Sequence, residues 1–466
     1  MIRGSRMSNE NDRTREFSSF RDPSGIVYKE GGTIYRQINS CYKEQYDYLM
    51  QSGLYADLTN RNMLIEHQET PKKPITDSGV LVLTPQQIPF VSYPYEWAFS
   101  ALKEAALLSL KIHRKALDYG MVLKDASAYN IQFQSGRPIL IDTLSFDFYH
   151  DGEPWAAYGQ FCRHLLAPLL LMRYVDIRLS RLMSLYIDGI PLDLASRLLK
   201  GKGGIFTRQH IHWHSKSIAD NIKESSNTDS IRKINIPKKN MIALIESMIL
   251  FVEGLELKDI ATRWSDYETT TSYSETGAAS KKELVEKYLK QINPSVVWDF
   301  GANDGTYSRL ALGLGSQVAA FDSDPAAVEK NFNTSFEKKQ QLLSLYLDLS
   351  NPSPNIGFAN RERTSIGERQ HPDCIMMLAV IHHVVISNNV PFVKLADWLS
   401  SLCRHLIIEF VPKEDPQVQK LLLGRLDIFD DYSEGSFEDS FGTKFNMLQK
   451  DSINDSNRVL YLYECK

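Results

Sequence analysis

What this 466-residue sequence lacks already narrows its class. Cysteine is scarce: Cys41, Cys162, Cys374, Cys403 and Cys465 are scattered, odd in number, and form no CxxC pair. That pattern argues against a disulfide framework or a structural zinc finger, and it leads us to expect a reducing cytoplasm. Long apolar runs are missing too. The longest, 165–172 and 241–252 (the second broken by Glu246), are too short to span a bilayer, so no membrane partner is expected. There is little excess of charge: 53 basic against 57 acidic residues leave a formal net charge of −4. Overall charge therefore does not indicate a nucleic acid partner. No positively charged segment followed by an apolar stretch opens the chain. Residues 1–5 read as an expression-vector leader, with Met7 as a natural start. What remains is ordinary globular usage, 43% hydrophobic and 24% charged, at a length that predicts two or three domains.

The composition changes along the chain. Residues 1–21 are polar and without periodicity, as expected of a disordered tail. Residues 22–214 carry an α+β pattern. Residues 215–240, rich in Ser, Lys, Asn and Asp, read as a linker. Residues 241–293 read as helical, with a lid-like aromatic run containing Trp264, Tyr267 and Tyr273. From 294 to 466 strands alternate with helices and end in a hairpin, which predicts a mostly parallel sheet with an antiparallel last strand.

The sharpest local signal follows Val296-Val-Trp. Asp299-Phe-Gly301-Ala302-Asn303-Asp304-Gly305 joins an apolar strand to a helix through a Gly-x-x-x-Gly turn. Glycines permit a tight turn and close approach of a ligand to the backbone. The spacing is neither the dinucleotide GxGxxG nor a phosphate loop, and Asp299 and Asp304 would repel a pyrophosphate. A ligand bearing a cation fits better. The next strand ends at Asp322, placed to accept ribose hydroxyls, and the third ends at Asp348, placed for an adenine amine.

These residues, in this order, resemble class I S-adenosylmethionine-dependent methyltransferases over roughly the last two-fifths of the chain. The resemblance implies a Rossmann-like methyltransferase domain that binds S-adenosyl-L-methionine through Asp299, Gly301, Ala302, Asn303, Asp304, Gly305, Asp322, Asp348, Leu378 and Tyr273. The whole chain is also similar to bacterial methyltransferase-like proteins, some of them nodulation-associated. The Asn-Pro-Pro-aromatic turn of many amide and DNA N-methyltransferases is absent after Leu378. His382-His383 stands there instead. His383 is a candidate base toward a hydroxyl or amine, or it only packs under the cofactor. Glu409, closing the fifth strand, is the second catalytic candidate.

In the N-terminal half, Asp125, then Asn130, then a hairpin and Asp142 resemble the catalytic loop and metal segment of the protein-kinase and aminoglycoside-phosphotransferase fold. That resemblance implies ATP and magnesium held by Asp125, Asn130 and Asp142. The glycine loop and the usual lysine are not evident, and Arg36 is the nearest cation. The alternative is an α+β recognition domain whose polar residues form turns. His210, His212 and His214 would share one face of a strand, either as metal ligands or as a wet polar edge; no metal site is assigned.

The combined reading is a cytoplasmic methyltransferase acting on an O, N or C nucleophile of a small molecule, glycan, protein or RNA. Two alternatives stand beside it: a kinase-like phosphotransferase with a cofactor-sensing C-terminal domain, and a nucleotide-regulated scaffold without activity.

Overall fold

Short apolar runs bounded by Gly, Pro and Asp become buried parallel strands when helices can cover both faces. In the computed structural model, which describes residues 13–213, 235–257, 273–423 and 426–466, that is the outcome from Val296 onward. The strands of this region are β10 (Val296–Phe300), β11 (Gln317–Asp322), β12 (Leu342–Tyr346), β13 (Cys374–Met377), β14 (His405–Phe410), β15 (Phe445–Ser452) and β16 (Val459–Cys465). They form one sheet in the order β12-β11-β10-β13-β14-β16-β15. β10 to β14 pair in parallel, and β16 is reversed against both β14 and β15. The chain starts at β10, winds outward to β12, then returns to β13 on the other side of β10. The carboxyl ends of β10 and β13 therefore diverge and leave a crevice.

Local signals set the flanking helices. Ser274 caps the helix Glu275–Ile292 by accepting a hydrogen bond from the Gly277 amide at 3.0 Å. That helix ends on Asn293, at φ 42°. Asp324 caps the helix Pro325–Glu337, with proline in its first turn. One face of the sheet buries Val297, Val318, Met376, Ile407 and Leu462 against Val285 and Leu289 of the Glu275–Ile292 helix. On strand β10 the intervening Trp298 and Phe300 are also fully buried, and Phe300 stacks on Trp398 at 5.9 Å.

The chain divides into two compact units, and their limits differ from those expected. The unit built on this sheet takes in the Glu275–Ile292 helix, so the expected boundary at 294 falls inside it. It also includes Glu96–Ser100 and omits Asn355–Arg363. Trp97, buried, bridges antiparallel to Leu345 on the edge strand β12. Glu96 forms an ion pair with Arg369, whose NH1 donates at 2.8 Å, and Ser100 donates from backbone and side chain to Glu329. An edge strand presents unpaired backbone groups, and this short segment covers part of that edge.

The other unit is α+β. Its strands β1 (Thr14–Arg15), β2 (Gly25–Glu30), β3 (Thr33–Asn39), β4 (His67–Thr70) and β5 (Gly79–Pro85) make an antiparallel sheet in the order β1-β2-β3-β5-β4, and β6 (Met121–Leu123) with β9 (Phe146–Phe148) and β7 (Ile131–Gln134) with β8 (Arg137–Leu140) make two short antiparallel pairs. Gly31 and Gly32 both have positive φ (58° and 81°) and close the β2–β3 hairpin, so their conformational freedom serves that turn. Thr14 pairs with Lys29, and Phe17 stacks on Phe358. Folded structure thus begins ahead of residue 22, where the tail was expected to end. The His210-Ile-His212 segment is helical (Arg208–Trp213), so its histidines do not share a strand face. His210 pairs with the Tyr158 hydroxyl at 2.6 Å and His212 with Ser196, and His214 lies outside the described residues, as do Trp264 and Tyr267.

Candidate active site

At the diverging ends of β10 and β13 lies a cavity of about 500 Å³, within the roughly 300–1,000 Å³ typical of small-molecule sites. The turn after β10 forms its base. Gly301 (φ 75°), Asn303 (φ 48°) and Gly305 (φ 83°) adopt left-handed backbone. A Cβ on Gly301 would stand 2.2 Å from Val380 Cγ2, so at this position a side chain is excluded by space as well as by backbone conformation. Ala379, directly after Leu378, also has positive φ (57°), a strained conformation for a residue with a Cβ.

Of the three carboxylates that line this space, Asp299, Asp304 and Asp322, Asp299 and Asp322 form no salt bridge with any described residue, and Lys281 acts on Asp299 only from a distance. Asp299 is buried and accepts a hydrogen bond from Ser308 Oγ at 2.6 Å. Burial pushes its pKa up to about 7, with Ser308 and Lys281 opposing the rise. Asp322 accepts the amides of Asn303 and Asp324, each at 2.8 Å, yet burial still raises it to about 6. Acids held in this way favour a ligand that brings positive charge or hydroxyl donors.

The structure brings together most of the expected cofactor residues. Tyr273, Asp299, Gly301, Ala302, Asn303, Asp304, Asp322 and Leu378 line the cavity, and so does His383. Gly305 does not line it but turns the backbone into the helix Thr306–Gly313. Asp348 is not among the lining residues: its Oδ1 accepts the Ser350 amide (2.8 Å) and the Ser350 hydroxyl (2.6 Å), closing a local turn.

Glu409 is placed beneath the site rather than in it. It is fully buried; Lys281 Nζ lies 2.7 Å from its Oε2, and Arg458 NH1 and the Tyr273 hydroxyl donate to its Oε1. Burial alone would raise its pKa, but Lys281 and Arg458 together hold it below the usual carboxylate range. An acid so neutralised braces Tyr273 and Lys281 and is poorly suited to take a proton. Sequence reasoning missed Lys281, Tyr307, Thr306 and Ser323, all of which line the cavity. The one available signal was helical spacing, since Ala278 and Lys281 stand a turn apart on one face.

In the α+β unit, Asp125, Asn130 and Asp142 also converge: burial raises the Asp125 pKa and Asp142 raises it further, while Asn130 opposes the rise. Asp142, however, is already neutralised. Arg36 lies 2.5 Å from its Oδ1, the Leu144 amide donates to the same oxygen (3.0 Å), and Ser145 Oγ donates to Oδ2 (2.7 Å). Among the described residues no group of three or more His, Cys, Asp or Glu side chains is placed to hold a metal ion. These residues do not fit the expected magnesium and ATP.

The sheet order, the single reversed strand and the glycine-turned acidic switch point define a methyltransferase-like Rossmann fold. No family model matches the chain. It is 33% identical over 468 residues to nodulation protein NoeA of Rhizobium meliloti (strain 1021), covering 97% of this chain and 96% of that one. The chain belongs to the family of that nodulation protein. Solved structures similar to it include the N-methyltransferase NodS of Bradyrhizobium japonicum WM9, at TM-score 0.31 and 9% identity over 41% of this chain and 98% of that one. Another is magnesium protoporphyrin IX methyltransferase (ChlM) of Synechocystis PCC 6803 with bound SAH, at TM-score 0.30 and 17% identity over 45% and 90%. No helix among the described residues is long and apolar enough to cross a membrane.

Proposed function

We propose that the chain is an S-adenosylmethionine-dependent methyltransferase acting on an oxygen, nitrogen or carbon nucleophile. The observation that carries this reading is the pair of buried acids without a salt bridge, Asp299 and Asp322, facing one cavity whose glycine turn admits a ligand against the backbone. Bound S-adenosylmethionine supplies a methyl group on a cationic sulfur and leaves as S-adenosylhomocysteine. Asp299 would hold the cofactor's ammonium and Asp322 its ribose hydroxyls, while Leu378 and Ala302 supply apolar walls. His383, half-buried on the cavity wall with its ring 4.1 Å from that of His382, is the side chain offered to the proton of an acceptor. Alignment supplies most of the acceleration in a group transfer of this kind, so the strained turn at Ala379 serves to fix His383 and the cavity wall. The relative's name, a nodulation protein, supports a nodulation setting for the acceptor.

Calorimetry tests the reading. S-adenosylmethionine should bind the full chain, and Asp322→Ala should weaken binding about tenfold or more while the far-UV circular dichroism is kept. If the unmodified protein fails to bind, or if Asp322→Ala binds as it does, the proposal falls.

A further inference from the structure

The α+β unit carries one helical stretch whose solvent side is not simply polar. Gly204–Thr207 and Arg208–Trp213 run on as a single short helix, the second part in the wider π form. One side is held inward: Phe206 stacks on Phe251 at 3.7 Å, and Thr207, His210 and Ile211 are buried. The other side shows Ile205, Arg208, Gln209 and Trp213 to solvent, with Ile205 76% and Trp213 59% exposed. The charge on this surface is of one sign. No acid stands between Asp193 and Asp220, the longest such interval in the chain, whereas Arg197, Lys200, Lys202 and Arg208 are all exposed. Arg197 is paired with Asp193, but Lys200 and Arg208 form no salt bridge among the described residues. Lys202 Nζ donates to the Tyr174 carbonyl at 3.1 Å, which sets the lysine loop beside Val175, itself 39% exposed. The chain as a whole has a formal net charge of −4, so this basic and apolar patch departs from the average surface.

A large aliphatic side chain and an indole left in water mark a surface that something covers. The cover has to be apolar where it meets Ile205 and Trp213 and anionic around them. A nucleic acid would meet the cations but offers no apolar layer to Ile205. A second copy of the same patch would set cation against cation. A bilayer with anionic headgroups meets both demands: acyl chains take Ile205, the interface suits the indole, and Lys and Arg lie at the phosphates. No helix crosses the membrane in this arrangement, and the short apolar runs of the sequence exclude only crossing. We infer that this helix and the 200–204 loop form a peripheral docking surface for anionic membranes. The surface belongs to the α+β unit and does not depend on the cofactor reading.

Co-sedimentation of the full chain with vesicles tests it. One set of vesicles is phosphatidylcholine alone, and the other is phosphatidylcholine and phosphatidylglycerol in equal parts. Each Lys or Arg at an anionic surface is worth about fivefold in affinity, so the mixed vesicles should bind roughly 100-fold more tightly, and added salt should weaken that preference. Lys200→Ala/Lys202→Ala/Arg208→Ala should remove most of it. Ile205→Ser, with every charge kept, should weaken binding about tenfold. None of these side chains is buried, so the melting temperature should stay that of the unmodified protein. Should the triple variant melt early, Lys200→Glu reverses one charge that has no ion pair to lose and should cost tenfold or more on its own, roughly two such charges. Equal binding to the two vesicle types, full binding by the triple variant or by Ile205→Ser, or a preference for a single-stranded DNA oligonucleotide over the mixed vesicles would each overturn the inference.

Discussion

Each unit gathers carboxylates that the sequence had marked, but they are neutralised differently. In the parallel-sheet unit, Asp299 and Asp322 meet a cavity and form no salt bridge among the described residues, so burial pushes both upward, to about 7 and about 6, with Lys281 only partly offsetting it at Asp299. In the α+β unit, Asp142 is matched by Arg36 at 2.5 Å and by two further donors. The first cluster has unmet electrostatic demand and space for a ligand. The second meets its demand from within the chain. Convergence of acidic residues marks a ligand site only when their charge is left unbalanced.

The largest expected effect breaks the comparison from the α+β side. Asp142→Ala removes the partner of Arg36, whose side chain is 17% exposed, and should destabilise the protein by about 2–3 kcal/mol, less than a fully buried pair would cost. Titration with ATP and magnesium should give no heat in either protein. Binding in the unmodified chain that Asp142→Ala removes would return this cluster to the class of ligand sites.

A smaller effect sharpens the other side. Asp299→Asn keeps an acceptor for Ser308 and removes a buried charge, so the melting temperature at pH 8 should hold or rise. Affinity for S-adenosylmethionine should still fall about tenfold, because a neutral amide is a poorer partner for an ammonium. Loss of stability without loss of affinity would make Asp299 a structural acid, like Asp142.

How far the sequence was legible follows from distance along the chain. The strands, the glycine turn and Asp322 were readable because each depends on a few neighbouring residues: apolar runs, positive-φ glycines and the Asp324-Pro325 helix start. Glu409 was misread because its partners, Lys281 and Arg458, stand far away in the chain, so its neutralisation appears only once the sheet is assembled. Asp348 sits near a strand end as expected, but its carboxylate is engaged in a local turn with Ser350. The histidines at 210 and 212 were given a strand's period of two, and a helix separates them. Nor could any local pattern show that Glu96–Ser100 belongs with a sheet that starts two hundred residues later.

The smallest effect concerns pH and tests whether the charge imbalance is real. Asp299 and Asp322 have folded-state pKa values raised above the ordinary 3.8, so between about pH 4 and pH 7 the folded protein holds more protons at these sites than the unfolded chain does. Stability from these two groups is therefore present at low pH and is lost as pH rises through that window. A cationic ligand favours the ionised acids and works in the opposite sense. Binding should release protons, and affinity should climb about tenfold between pH 5.5 and 8 before levelling off. Calorimetry in two buffers of different ionisation enthalpy reads the released protons directly at pH 6.5. Asp299→Asn should reduce that release, whereas Asp142→Ala should leave it unchanged, since Asp142 lies in the other unit and carries its own counter-ion. If the two variants release protons alike, the difference between the clusters is one of position and not of charge.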